Sequence, residues 1–172
     1  MSAPQSPVDP TVESPVETLA STSSATLAFP VHIPFVQQLG FELVRMGDGE
    51  AELRVDIREL HLNSWEVAHG GVLMTLLDVA MAHAARSIHR DLPGFGPGVV
   101  TVEMKTSFMR PGEGALRAVG RLLHRSTTMA FCDGSVYGED GKLCAHSTGT
   151  FKYLKALPGK GRSLKALQRS ED

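Results

Sequence analysis

The sequence has little that would mark a secreted, membrane-spanning or nucleic-acid-binding protein. Only two of its 172 residues are cysteines, Cys132 and Cys144, too few for a disulfide scaffold or a zinc site made of cysteines alone. A net charge of -2 gives no basic field to attract nucleic acid or an anionic membrane. No run reaches the roughly 20 apolar residues of a membrane helix. We therefore expect a cytoplasmic protein without nucleic-acid or membrane partners.

Both ends of the chain differ in composition from its middle. Six of the ten prolines lie in the first 34 residues, and no lysine or arginine precedes Arg45, so an export signal is not expected. The C-terminal end is basic and contains a Pro-Gly pair. These features predict a disordered tail over residues 1–30, one folded domain over 31–155 and a solvated basic tail over 156–172.

The middle of the chain combines helix and strand periodicities, which together predict an α+β fold. Apolar side chains recur on nearly every side of a helix over 70–88, so this helix should be almost completely buried. The expected architecture is a curved antiparallel sheet wrapped around that central helix. In chain order, we expect a helical turn at 34–39, strands at 41–46 and 51–57, the helix, and strands at 100–108, 115–123, 129–137 and 143–153.

The strand expected at 100–108 has a simple alternating pattern. Val100, Val102 and Met104 alternate with polar residues that include Thr101. Such alternation is typical of a strand with one buried apolar face and one polar face.

The last two strands are joined at Asp140-Gly141, which predicts a two-residue type I′ turn with positive φ at both positions. The register that follows places Cys144 opposite Tyr137. In that register the sulfurs of Cys132 and Cys144 lie about 15 Å apart at the usual strand rise. A disulfide between them is therefore not expected.

Asp78 interrupts the apolar helix, and a carboxylate in such surroundings is costly unless it is hydrogen-bonded or functional. An ion pair with Arg86 is the structural alternative, but a residue eight positions further along the helix is too far for direct contact. The pattern favours a functional acid.

A second candidate group is His69-Gly70-Gly71, at the entrance of the same helix. Glycine allows a ligand to approach the backbone, and the first N–H groups of a helix are unpaired donors at its positive end, suited to an oxyanion. Gly70 and Asp78 lie about 12 Å apart along the helix axis. Two chains packed antiparallel about a twofold axis could bring the helix entrance of one chain near Asp78 of the other.

These residues lie in a stretch that resembles the hotdog-fold acyl-CoA thioesterases of the phenylacetate-pathway, or PaaI-like, group. The spacing of the asparagine, the His-Gly-Gly and the aspartate is specific, and the resemblance covers the folded part but neither tail. It implies a hotdog homodimer or homotetramer with sites at the protomer interface and no cofactor. The matching segments are Asn63-Ser-Trp-Glu-Val-Ala-His69-Gly70-Gly71-Val-Leu-Met-Thr-Leu-Leu-Asp78, Thr101-Val-Glu-Met-Lys and the Phe108-Met-Arg-Pro-Gly turn.

The resemblance implies catalytic roles for four residues in the hydrolysis of an acyl-CoA thioester. Asp78 would activate water or attack the thioester, and Gly70 would supply a backbone N–H to the thioester oxygen. Asn63 would assist at that oxygen, and Thr101, on the same protomer as the aspartate, would help to orient the water. A carboxylate base with an oxyanion site can hydrolyse a thioester without a serine or cysteine nucleophile, and the chain has no Gly-x-Ser-x-Gly motif.

Four further residues are expected to bind substrate or shape its site. His69 and Gly71 flank the oxyanion donor, with His69 mainly fixing the loop. Arg125 and Ser126 lie in a hairpin where relatives bind the CoA nucleotide. Relatives often have another basic residue there, whereas only Arg125 is basic here, so an acyl-carrier protein is the alternative substrate.

Other interpretations stay open at this stage. A hotdog hydratase or dehydratase would share the fold, and a non-catalytic acyl-CoA-binding protein would share the dimer. The histidines lack the spacing of metal ligands, so no metal is expected. Trp65 and Glu66, the latter where many relatives have glycine, add a ring and a charge near the site and leave the acyl-group preference open.

Overall fold

One long helix lies against a six-stranded antiparallel sheet in the computed structural model, which describes residues 26–155. The predicted architecture, a sheet wrapped around one central helix, is confirmed. The helices are α1 (Pro34–Gln38) and α2 (Gly70–Ser87), with short 3₁₀ turns at Glu59–His61 and Pro93–Phe95, and the strands are β1 (Glu42–Gly47), β2 (Glu50–Asp56), β3 (Gly98–Phe108), β4 (Ala115–Arg125), β5 (Met129–Tyr137) and β6 (Leu143–Leu154).

The strand order of the sheet is β1-β2-β4-β5-β6-β3, so β3 forms one edge although it precedes β4 in the chain. The inner face of the sheet packs on α2, which contacts all six strands. Leu53, Leu76, Leu77 and Phe151 are fully buried where the helix meets the sheet. Within the described residues, no helix is both long and apolar enough to cross a membrane.

The described fold includes part of the segment predicted as an N-terminal tail. The Leu27 N–H donates to the Leu43 carbonyl at 2.7 Å, and the Phe29 ring packs edge-on against His83 with centroids 5.2 Å apart. These contacts place Leu27 and Phe29 against the folded domain, although the sequence around them is rich in proline. Residues 1–25 and the predicted basic tail at 156–172 lie outside the described residues.

The predicted type I′ turn between β5 and β6 is wrong. Gly141 has positive φ (72°), whereas Asp140 does not. The Gly141 N–H donates to the Gly138 carbonyl at 3.0 Å, and the Gly138 N–H donates to the Lys142 carbonyl at 3.1 Å, which makes a three-residue loop. The Asp140 carboxylate accepts the Lys142 N–H at 3.0 Å and supports this conformation.

This longer loop shifts the register by one residue at the end of the hairpin. Tyr137 lies opposite Leu143 rather than Cys144, while the rest of the ladder, including Cys132 opposite Gly149, follows the predicted register. Both cysteines are buried and free.

The prediction that α2 is almost completely buried holds only for its second half. From Val79 to Ser87 all but one residue are buried, whereas in the first half Gly71 is exposed and Met74 is 39% exposed. The helix therefore presents its N-terminal half at the surface of the chain.

Candidate active site

The Asp78 carboxyl lies midway along α2, at the boundary between its exposed and buried halves, and is held by a residue of β3. The Thr101 hydroxyl donates to Asp78 Oδ1 at 2.6 Å. Burial raises the pKa of Asp78 above the usual carboxyl value, and the hydrogen bond from Thr101 offsets part of that rise. A carboxylate with a raised pKa is a stronger base than an ordinary aspartate, so this pair suits proton transfer.

A bulge in β3 turns Thr101 toward Asp78. Thr101 lies opposite Phe151 and Glu103 lies opposite Thr150, so Val102 is an extra residue in the ladder. The bulge changes which residues share a face: Thr101 joins the inner face with the buried Phe151, and Val102 is 59% exposed. The alternation expected from the sequence is therefore wrong at this point, because the pairing with β6 interrupts it.

Asn63 lies on a small hairpin, residues 61–69, that leads into α2. The Asn63 N–H donates to the Val67 carbonyl at 2.9 Å, and the Asn63 side-chain oxygen accepts the Trp65 N–H at 2.8 Å. These bonds assign the side-chain oxygen to the loop, which leaves the amide nitrogen of Asn63 as a donor. Glu66 takes positive φ (60°), a conformation that favours glycine.

The start of α2 leaves one backbone donor available. His69 is the N-cap: its Nδ1 accepts the Gly71 N–H at 2.9 Å, and its carbonyl accepts the Val72 and Leu73 N–H groups. Within residues 26–155, the Gly70 N–H has no hydrogen-bond acceptor. His69 and Gly71, both predicted to bind substrate, thus bind each other and leave Gly70 as the donor that can meet a ligand.

Asn63 and Gly70 line the same cleft, which has a volume of about 320 Å³. Its walls are mostly apolar, and the Phe108 ring lies against Gly70, where an added Cβ would meet it at 3.4 Å. The cleft therefore combines two polar donors with an apolar surface, as small-molecule sites do. The lining residues are Asn63, Val67, Ala68, Gly70, Leu73, Phe108, Met109, Arg110, Pro111 and Gly112.

Asp78 and Thr101 do not line this cleft. Eight residues of helix separate Gly70 from Asp78, about 12 Å of axial rise. The four residues predicted to be catalytic thus form two pairs in one chain: Asp78 with Thr101, and Asn63 with Gly70.

Arg125 and Ser126 lie at the hairpin between β4 and β5, also outside the cleft. Ser126 shapes the turn, because its hydroxyl accepts the Met129 N–H at 3.0 Å. Arg125 lies opposite Ala130, in the same row across the sheet as Phe151 and Thr101. Arg125 and Thr101 are therefore three strand spacings apart, about 14 Å, which places the hairpin on the Asp78 side of the chain.

Sequence reasoning missed Arg110, whose side chain brings a positive charge to the cleft. Its guanidinium donates to the Leu143 carbonyl at 2.8 Å, which fixes its position. The Phe108-Met-Arg-Pro-Gly turn was a signal for it, but the turn alone does not show which side chain faces the cleft.

The described residues contain no group of three His, Cys, Asp or Glu side chains that could hold a metal ion. His83 instead packs in the core, where burial lowers its pKa to about 4 and keeps the ring neutral. The chemistry available from the described side chains is acid–base catalysis by a carboxyl group, together with hydrogen bonds to an oxyanion.

Comparison with known proteins identifies the family. Residues 66–145 match the model of the thioesterase superfamily. A structure of a mutant phenylacetic acid degradation protein PaaI from Thermus thermophilus is 31% identical, with a TM-score of 0.62 over 71% of this chain and all of that one. A conserved protein from Pseudomonas aeruginosa is 34% identical, with a TM-score of 0.67 over 73% of this chain and 97% of that one. The medium/long-chain acyl-CoA thioesterase YigI of Escherichia coli K12 is 27% identical, covering 72% of this chain and 87% of YigI.

The fold and its relatives define a hotdog-fold hydrolase. The chain belongs to the PaaI-like members of the thioesterase superfamily and is a thioester hydrolase.

Proposed function

We propose that the chain hydrolyses acyl-CoA to the free acid and CoA, in active sites shared between two copies. One observation carries the proposal: the Asp78–Thr101 pair lies outside the cleft that holds Asn63 and Gly70. A base and an oxyanion site must meet at the same carbonyl group to catalyse its hydrolysis. A second copy related by a twofold axis supplies each cleft with the missing pair. The name of the relative YigI supports acyl-CoA as the substrate.

The surface around the exposed half of α2 suits such a partner. Met74 is 39% exposed, and Val102 and Phe108 on the edge strand β3 are 59% and 51% exposed. Exposed apolar groups beside an unpaired strand edge are typical of a protein interface. The proposed assembly is a homodimer, alone or paired into a homotetramer.

The cleft of one copy would bind the thioester carbonyl. The Gly70 N–H and the Asn63 side-chain amide would donate to its oxygen, where negative charge develops as the carbonyl carbon is attacked. Both donors are held by the backbone and loop contacts described above, so little reorganisation is needed when the charge forms.

Asp78 of the second copy would act as the base. In one route it removes a proton from water as the water oxygen bonds to the carbonyl carbon; the C–S bond then breaks, and Asp78 returns the proton to the departing CoA thiolate. In the other route the carboxylate itself bonds to the carbonyl carbon, the C–S bond breaks and CoA leaves as the thiolate. Water then hydrolyses the resulting mixed anhydride, which gives the free acid, regenerates the Asp78 carboxylate and supplies the proton that the thiolate takes up. In the first route, the Thr101 hydroxyl orients the carboxylate toward the water.

The β4–β5 hairpin would hold the nucleotide end of the substrate. Arg125 supplies a positive charge for phosphate, and Ser126 keeps the turn that presents it. Because this hairpin lies on the Asp78 side of each copy, CoA would extend from the cleft of one copy toward the second.

Thiol release tests this proposal. The purified chain should release free CoA from phenylacetyl-CoA or from aliphatic acyl-CoAs of increasing length, and the preferred acyl group should show the largest kcat/KM. Acyl-carrier-protein thioesters form the second arm, in which faster turnover than with acyl-CoA would contradict the choice of CoA. Tight binding of all acyl-CoAs without turnover would contradict hydrolysis of this substrate class.

A further inference from the structure

A fully buried histidine, which the proposed reaction does not use, lies at the base of the 61–69 hairpin. His61 is 0% exposed. We propose that His61 is a positioning residue that holds Asn63 and Gly70 at the spacing needed for the oxyanion. This inference rests on the proposed function and assigns a residue that acts on the same site without touching substrate.

The His61 ring is fixed by hydrogen bonds at both nitrogens. Nδ1 accepts the Arg58 backbone N–H at 3.1 Å, and Nε2 donates to the Leu39 carbonyl at 2.9 Å. Because the amide can only donate and the carbonyl can only accept, the ring fits as the neutral tautomer with its hydrogen on Nε2. A fully buried ring with both nitrogens paired has one orientation.

The backbone of His61 closes the hairpin. Its carbonyl accepts the His69 N–H at 2.8 Å, and its own N–H donates to the Arg58 carbonyl at 2.8 Å. Leu62 and Ala68 form the adjoining bridge. The two ends of the hairpin are therefore joined at His61, and His61 is in turn tied to the end of α1 through Leu39.

Both proposed oxyanion donors lie within two residues of this junction. Asn63 follows His61 by two residues, and Gly70 follows His69 directly. A shift of the junction would move the side-chain donor and the backbone donor together, away from the carbonyl oxygen. Misplacement by about 1 Å costs on the order of 100-fold in rate. Loss of the hydrogen bond between the His61 ring and the Leu39 carbonyl should therefore lower the rate.

The test compares His61→Phe with His83→Phe. His83 is the matched control: it is 3% exposed, lies in the second half of α2, and bonds Val79 rather than the hairpin. At a temperature where circular dichroism shows each variant folded, His61→Phe should lower kcat about 10- to 100-fold with KM within threefold, because the donors act mainly in the transition state. His83→Phe should keep kcat within twofold.

His61→Gln provides rescue, because its amide can still donate to the Leu39 carbonyl. Its kcat should lie between those of the wild type and His61→Phe, and should be at least threefold below wild type. If His61→Phe does not fold, His61→Gln alone decides, and a wild-type kcat in His61→Gln overturns the inference. Unchanged kcat in folded His61→Phe, or an equal loss in His83→Phe, overturns the positioning role while leaving the proposed function intact. Absence of turnover in the wild type overturns the proposed function, and the inference with it.

Discussion

The two halves of α2 have the same apolar character but opposite environments. In the second half, Gly120 of β4 packs so closely that an added methyl would overlap the backbone of Ala80 and Met81. Two hydrogen bonds tie this half to other elements: the Ser87 hydroxyl accepts the Gly49 N–H at 2.8 Å, and the Tyr153 hydroxyl donates to the Ala85 carbonyl at 2.8 Å. In the first half, the helix borders the cleft and is partly exposed.

This difference separates stability from chemistry along one helix. The buried half holds the sheet, and close packing makes it intolerant of added volume. The exposed half carries the free Gly70 donor and ends at Asp78, whose burial disfavours its charged form. Substitution of Asp78 or of the residues that position it should therefore change rate, and substitutions against the second half should change stability.

Asp78→Asn should have the largest effect, lowering kcat/KM by about 10³-fold or more because an amide cannot accept the proton. Stability should not fall. The pKa of Asp78 is raised in the folded state, so its contribution to stability decreases as pH rises from the ordinary carboxyl range through the raised pKa. At neutral pH the variant should melt at the wild-type temperature or above. Thiol-release kinetics measure kcat/KM, and calorimetry measures the melting temperature. Asp56→Asn, exposed at the end of β2, is the control. A large drop in the melting temperature of Asp78→Asn would count against the account.

Gly120→Ala should show the opposite behaviour. Overlap with the backbone of Ala80 cannot be relieved by a rotamer change, so we expect a loss of about 2–3 kcal/mol in the free energy of unfolding. Gly134→Ala is the matched control, because Gly134 lies directly opposite Gly120 but its added methyl meets the flexible side chains of Leu77 and Met81 at 3.1 Å. Urea unfolding should show a smaller loss for Gly134→Ala, and the folded fraction of both variants should keep the wild-type kcat. Equal losses would mean that the backbone contact is not decisive.

Thr101→Val should lower kcat/KM by about 10- to 100-fold, the usual range for loss of a hydrogen bond to a charged group. It should also move the pH profile. Activity needs ionised Asp78, so kcat/KM rises as pH rises through its pKa; losing the hydrogen bond that lowers this pKa moves the rise to higher pH. Thr106→Val, on the same strand but bonded to Ser147, should leave the profile unchanged. If Thr101→Val leaves the pH profile unshifted, the Thr101 hydroxyl does not tune the pKa of the catalytic base.

Removal of residues 1–25 should have the smallest effect, leaving kcat and melting temperature at their wild-type values. Removal of residues 1–29 should keep kcat but lower stability by about 1 kcal/mol, because Phe29 no longer packs on His83 in the buried half of α2. Thermal melts of the two truncated chains distinguish these outcomes, and equal melting temperatures would show that this contact contributes little.

Local patterns predict most of the fold. Helical periodicity places α2 within one residue of its observed end, and alternation finds every strand of the sheet. One error arises where a distant contact decides, because the bulge at Val102 depends on pairing with β6. The other, the type I′ turn, is local, because the Asp140 carboxylate accepts the Lys142 N–H and supports a longer loop.

The candidate site divides in the same way. Asp78 and Gly70 stand out in the sequence because each departs from the apolar helix pattern. Asn63 and Thr101 are predicted only through the family resemblance, because a loop amide and a strand hydroxyl look ordinary until folding places them. Arg110 and His61 do not stand out in the sequence, since their positions depend on hydrogen bonds to the carbonyls of Leu143 and Leu39.

Subunit mixing tests the central claim, that each site combines Asp78 of one copy with Asn63 and Gly70 of another. Asp78→Asn and Asn63→Ala chains, each nearly inactive alone, are unfolded together and refolded as a mixture. If sites are shared, each mixed dimer has one intact site, and random pairing restores about a quarter of wild-type activity. If each site lies within one chain, no mixed dimer has an intact site, and the mixture stays as inactive as its parents.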